Sequence, residues 1–160
     1  MPNLRIGHGI DFHRLEEGAD FWLGGIQIPH TKGAVGHSDA DVLLHAICDA
    51  LLGALSLGDI GAHFPDTSEK YKGIDSKILL KEVFEKIESL GWKIVNLDVT
   101  LCLQLPKLRP HIDSMRKSVA SVLALELDQV SIKATTTEKM GFVGRQEGVE
   151  AHAMVLLNKS

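Results

Sequence analysis

Two apolar patterns of different period constrain this chain more than any other feature. From Ser38 to Leu55 the residues Leu43, Leu44, Ile47, Leu51 and Leu55 recur at helical spacing. From Trp92 to Gln104, Val95, Leu97, Val99, Leu101 and Leu103 alternate with Asn96, Asp98 and Thr100, the period of a half-buried strand. A chain holding both must lay a helix stripe on a sheet face. Ser38, three residues before Asp41, reads as the N-cap of the first helix in a capping-box-like start. A second helix is predicted from Asp75 to Leu90, with Leu79, Val83, Ile87 and Leu90 on one face and Gly91 as its stop. Pro110 opens a third through Ile112, Met115, Val119 and Val122. Strands are predicted at Leu4 to His13, Val130 to Thr135 and Val149 to Leu157, and a tight hairpin where Phe21-Trp22-Leu23 and Ile26-Gln27-Ile28 flank Gly24-Gly25. The expectation is one α/β (α+β-like) layered domain over residues 1–160: a mixed β-sheet with helices packed on one face, plus a small β-hairpin.

Length and charge set outer bounds. The chain of 160 residues is of one-domain size. Seventeen Lys and Arg against 21 Asp and Glu give a net charge of −4, which argues against a basic groove for nucleic acid. The start reaches Asp11 too early for a signal-peptide apolar region, and Ala50 to Gly58, between Asp49 and Asp59, is far too short to span a membrane. A cytoplasmic protein is expected. Cys48 and Cys102 sit in apolar segments without Cys-x-x-Cys spacing, so buried free thiols are expected rather than a disulfide or zinc knuckle.

Asp11-x-His13 sends a carboxylate and an imidazole from the same face of one strand. A third ligand is available in His45, which lies off the Leu43/Ile47/Leu51 stripe on a helix face shared with Asp41 and Asp49. Asp, His and His would leave one position of a tetrahedral zinc open, with Asp49 a candidate for orienting His45. Spacing alone leaves ordinary surface or core histidines as the open alternative. His37-Ser38-Asp39-Ala40-Asp41 enters the helix where free N–H groups attract phosphate, but Asp39 and Asp41 would repel an anion unless a metal offsets them. Gly58-Asp59-Ile60-Gly61 and His63-Phe64-Pro65-Asp66 are polar turns or simply connections. Thr135-Thr136-Thr137-Glu138 combines hydroxyls with a carboxylate suited to magnesium beside phosphates, with Lys139 and Arg145 as nearby positive charge. Walker, dinucleotide-binding, His-Glu-x-x-His and Gly-x-Ser-x-Gly motifs are absent.

Together, Gly7-His8-Gly9-Ile10-Asp11-Phe12-His13, His37-Ser38-Asp39-Ala40-Asp41-Val42-x-x-His45-Ala46, Gly58-Asp59-Ile60-Gly61, Phe64-Pro65-Asp66-Thr67 and Lys133-Ala134-Thr135-Thr136-Thr137-Glu138 resemble the 2-C-methyl-D-erythritol 2,4-cyclodiphosphate synthase family, over Arg5 to Leu157. The resemblance implies cyclisation of 4-diphosphocytidyl-2-C-methyl-D-erythritol 2-phosphate with release of CMP, in the non-mevalonate isoprenoid pathway. It implies zinc on Asp11, His13 and His45, and magnesium or manganese on Glu138. By the same likeness His37 and Thr136 stabilise the transition state, and His37 and Ser38 hold phosphate. Asp59, Ile60 and Gly61 face the erythritol hydroxyls near Phe64, Pro65, Asp66, Thr67 and Ser68. The cytidine pocket falls on Leu103, Gln104, Leu105, Pro106, Lys107, Leu108 and Arg109 with Thr135, Thr136, Thr137 and Glu138. Phe12, Phe142 and Arg145 complete the ligand contacts. A homotrimer is implied, with sites between subunits and an isoprenoid diphosphate on the trimer axis near Arg145. Leu103 and Leu105 stand where smaller residues are expected, and Val143 where Thr is frequent. A zinc-dependent phosphodiesterase and a non-catalytic isoprenoid-diphosphate binder remain as competing expectations.

Overall fold

The computed structural model describes residues 3–159. In chain order they form β1 (Asn3–Glu17), β2 (Trp22–Leu23), β3 (Ile26–Gln27), β4 (Lys32–Val35), α1 (Val42–Ala54), α2 (Ile60–His63), α3 (Ser76–Ser89), β5 (Lys93–Cys102), α4 (Ile112–Val122), β6 (Val130–Thr135), α5 (Gly141–Gly144) and β7 (Gly148–Lys159). Five strands make one sheet in the order β4-β1-β7-β5-β6, and β2 with β3 forms the separate hairpin. β5 and β6 run parallel while the other neighbours are antiparallel, so the sheet is mixed as expected.

One face of the sheet is covered by helices and the other is open. On β1 the covered face is Gly7, Gly9, Asp11, His13 and Leu15, by strand alternation. A Cβ on Gly7 would lie 1.8 Å from the Ala50 carbonyl oxygen, and one on Gly9 would lie 2.0 Å from that of Ala46. Two missing side chains therefore let α1 lie directly on the strand. Helix α1 buries Leu43, Leu44, Ile47, Leu51 and Leu52 completely, against Val99, Leu101, Ala151 and Ala153 of the sheet in the same core cluster. On the open face Ile6, Ile10, Phe12 and Met154 are exposed.

Several local expectations need correction. The N-cap of α1 is Asp41, not Ser38. Ala40 is in the left-handed region, at φ 57°, and this turn moves the helix start forward. Asp41 is fully buried and accepts from Leu44 N (3.1 Å), Gly24 N (3.0 Å) and Gly25 N (2.7 Å). Burial pushes its pKa up against those three donors. One carboxylate thus caps α1 and ties the hairpin turn to it. In β5 the register slips between Ile94 and Asn96, so Ile94 is buried and Val95 faces out. Leu90 is the exposed C-cap of α3 rather than part of its apolar face. Cys48 is buried as expected, but Cys102 is only half-buried. No helix among the described residues is long and apolar enough to cross a membrane.

Candidate metal centre and its cavity

The close approach of α1 to β1 brings His45 down onto Asp11 and His13. Asp11 Oδ2 lies 3.1 Å from His13 Nε2 and 3.0 Å from His45 Nδ1, and the two nitrogens are 3.1 Å apart. Ligands about 2.0 Å from a tetrahedral zinc lie about 3.3 Å from one another, so this triangle fits such an ion with little adjustment. The donor set of one carboxylate and two imidazoles suits zinc chemistry as well. Burial opposes charge on Asp11, but hydrogen bonds from His13 and His45 hold its pKa at about 2. At His45 burial again opposes charge, yet the hydrogen bond and charge of Asp11 prevail and its pKa is raised.

Behind the triangle, His45 Nε2 is 2.8 Å from Ser76 Oγ and 3.1 Å from Ser38 Oγ. Ser76 is fully buried, and its hydroxyl donates to Asp39 Oδ1 at 2.5 Å while its N–H donates to Asp39 Oδ2. With Ser76 Oγ–H committed to the carboxylate, the ring donates from Nε2, and Nδ1, hydrogen-bonded to Asp11, is the nitrogen that would ligate a metal on giving up its proton. Asp49 does not orient His45; its carboxylate accepts from Ile60 N at 2.7 Å and anchors α2.

A cavity of about 450 Å³ opens from the triangle, lined by His13, His37, Ser38, His45, Ile60, Gly61, Phe64, Pro65 and Asp66. His37 Nε2 donates to the Ser68 carbonyl at 3.0 Å, which fixes the ring at the rim. Asp59 and Thr67 are not among the lining residues; Asp59 caps α2 by accepting from Ala62 N at 2.8 Å.

Comparison with known proteins identifies the architecture. The model of the YgbB family matches residues 4–158. The chain belongs to the YgbB family. Over 157 residues it is 58% identical to the 2-C-methyl-D-erythritol 2,4-cyclodiphosphate synthase of Syntrophomonas wolfei, covering 98% of this chain and 100% of that one. The enzyme of the same name from Bacteroides thetaiotaomicron is 55% identical over 156 residues, covering 98% of each chain. Among solved structures, the bifunctional IspDF of Campylobacter jejuni superposes with TM-score 0.96 at 40% identity; all of this chain matches 43% of that longer protein. A CDP complex of IspF from Plasmodium falciparum gives 0.87 at 32% identity, covering 99% of this chain and 97% of that one.

A second cavity of this YgbB chain, of about 170 Å³, is lined by Leu103, Gln104, Pro106, Lys107, Leu108, Arg109, Thr135 and Thr136. Leu105 is not in the lining and is exposed. The two cavities do not merge. Register sets Phe12, Glu150, Cys102 and Thr135 in one row across four strands, so β1 and β6 stand about 14 Å apart at that level. Glu138 lies in the loop after β6, with Thr136 Oγ1 3.3 Å from its Oε1 and Lys139 N donating to Gln104 Oε1 at 3.2 Å. Thr137 Oγ1 is turned to the Met140 carbonyl. Phe142 approaches Phe12, with ring centroids 6.0 Å apart. Arg145 is paired two-pronged with Glu147 at 2.9 and 3.0 Å.

The sequence reading missed Ser76 behind His45 and Gly36, Tyr71 and Ile74 in the first cavity, and it named Asp39, Gly7, Gly9 and Leu79 without the parts they play here: Asp39 holding Ser76, the two glycines beneath α1, and Leu79 in the cavity wall. Gly7 and Gly9 carried a usable signal, since they share the strand face of Asp11 and His13.

Proposed function

We propose that this protein cyclises 4-diphosphocytidyl-2-C-methyl-D-erythritol 2-phosphate to 2-C-methyl-D-erythritol 2,4-cyclodiphosphate and releases CMP. In this reading it is a phosphorus–oxygen lyase of the non-mevalonate isoprenoid pathway, working in the cytoplasm. The carrying observation is the 3.0–3.1 Å triangle of Asp11, His13 and His45 at the head of a cavity of about 450 Å³, in a chain so similar to enzymes of that name. An oxygen of the 2-phosphate forms a bond to the β-phosphorus, and the bond from that phosphorus to the CMP oxygen breaks. The nucleophile is already anionic, so no strong general base is needed, and positioning carries most of the rate.

Asp11, His13 and His45 hold zinc, and Glu138 holds magnesium or manganese; bound, these ions offset the repulsion between phosphates. His37 and Ser38 hold phosphate, with Thr136 as the second stabilising group at the reacting phosphorus. Asp59, Ile60 and Gly61 orient the erythritol, and the segment from Phe64 to Ser68 closes that side. Leu103 to Arg109 and Thr135 to Glu138 take the cytidine, and Phe142 and Arg145 complete the contacts. Two separate cavities in one chain support a homotrimer in which the metal side of one subunit meets the cytidine side of the next. The exposed Ile6, Ile10, Phe12 and Met154 on the open sheet face supply apolar surface for that assembly.

The test is phosphorus NMR of the products formed from this substrate with zinc and magnesium. A cyclic diphosphate with one CMP per turnover is expected. A linear product carrying oxygen from labelled water would instead establish a phosphodiesterase, and binding without turnover would establish a carrier.

A further inference from the structure

The open face of the sheet carries a second group of metal-ligating side chains that the proposed reaction does not use. Register sets Cys102 of β5 opposite Glu150 of β7, and His152 follows two residues later on the same face. A sulfur, a carboxylate oxygen and an imidazole nitrogen from these three lie within 4.8 Å of one another. His152 Nε2 is 2.5 Å from Glu150 Oε1, and the His8 ring stacks on His152 with centroids 5.8 Å apart. The three ligand residues are each half-buried, while Ile10, Phe12 and Met154 bring apolar groups to the same face.

The donor types narrow the ligand. Magnesium and calcium prefer oxygen throughout, whereas thiolate, imidazole and carboxylate together suit a borderline-soft first-row ion such as zinc. We propose that Cys102, Glu150 and His152 bind one zinc-type divalent cation per chain, with a fourth position left to water or an anion. Asp11 and His13 point to the helix-covered face of the same sheet, so this ion is distinct from the one on the first triangle. A thiol ligates as the thiolate, so binding is expected to expel a proton. Cys102 is the last residue of β5, immediately before the Leu103 to Arg109 cavity segment, so the ion pins that segment's origin to β7.

Cobalt(II) titration of the zinc-free, reduced protein tests this directly. Two equivalents are expected, one of them giving a sulfur-to-cobalt charge-transfer band. Cys102→Ser should lose the band and one equivalent, while His45→Ala should keep the band and lose the other equivalent. Glu150→Gln and His152→Gln should each weaken the banded site by more than the roughly 10- to 100-fold expected for loss of an outer partner. Circular dichroism of each variant monitors folding, and the unaltered protein decides the matter without any substitution. A titration of wild type without a thiolate band, or a band undiminished in Cys102→Ser, overturns the site. Because His45→Ala reads the first triangle separately, failure of either site is told from failure of the other.

Discussion

His45 reaches a carboxylate through the buried hydroxyl of Ser76, which stands 2.8 Å from its Nε2 and 2.5 Å from Asp39 Oδ1. The arrangement keeps hydrogen on Nε2, so Nδ1 is the nitrogen that loses its proton when a metal binds. Ser76→Ala leaves His45 with Ser38 alone at 3.1 Å. Zinc affinity, read by competition with a chromophoric chelator, should fall about 10- to 100-fold, with turnover recovering at high zinc. An unchanged zinc affinity would show that Ser38 suffices.

The distance between α1 and β1 is set by what Gly9 lacks. Its backbone is ordinary, so Gly9→Ala meets no torsional penalty, but the new methyl would lie 2.0 Å from the Ala46 carbonyl oxygen. The helix must lift, costing about 1–3 kcal/mol in urea unfolding and separating His45 from Asp11. Gly18 faces nothing within 4 Å, so Gly18→Ala there meets only the strain of its φ of +77°. The expected signature of Gly9→Ala is loss of stability together with weaker zinc binding. Stability loss alone would mean that the strand follows the helix.

The convergence of Asp11, His13 and His45 was legible because its parts obey simple periods: Asp11 and His13 share a strand face, and His45 leaves the apolar stripe of its helix. The relay behind it was not, because Ser76 approaches from α3, thirty-one residues away. Ser38 and Asp41 are both good capping residues, and only the left-handed turn at Ala40 selects Asp41. The strict alternation across Val95 hides a bulge, since one inserted residue leaves the pattern on either side intact. β4, at four residues, is too short to show a period at all. Its residue Gly33 matters through a backbone contact with Asp20 that composition cannot reveal.

The ion pair of Asp11 with His45 gives the zinc-free protein a predictable pH profile. The pKa of His45 is raised above its ordinary 6.5, so its contribution is complete below pH 6.5 and is lost as pH rises through the raised value. Asp11 is lowered from 3.8 to about 2, so its contribution is complete above pH 3.8 and is lost as pH falls through about 2. The lowering of Asp11 is shared between His13 and His45, so the His45 pair is worth at most about 2 kcal/mol. Urea midpoints of chelator-treated protein should therefore decline from pH 6 to pH 9, and His45→Ala should remove the decline. Saturating zinc should also remove it, because the metal takes the neutral imidazole. A midpoint rising with pH in zinc-free protein would contradict the pair.

Glu138 is apart from the triangle, in the loop after β6, and its near neighbour is the Thr136 hydroxyl. Glu138→Gln keeps the shape and removes the charge. Zinc content should stay at the wild-type level while the magnesium concentration for half-maximal CMP release rises at least about tenfold. A magnesium titration identical to wild type would detach Glu138 from the second cation.

The separation of the two cavities leads to a test of subunit sharing. In the proposed trimer His45→Ala would remove the metal side and Glu138→Ala the cytidine side, so each variant alone should be nearly inactive. When the two chains are co-expressed in equal amounts, each junction pairs an intact metal side with an intact cytidine side in about one case in four, by random assortment around a closed ring. CMP release by the mixed protein should thus recover to about a quarter of wild type per site. Recovery requires the two faces to come from different chains, because no single chain in the mixture has both. If the mixture is no more active than its parents, each chain completes its own site, and the 14 Å between β1 and β6 must be closed by movement within one subunit.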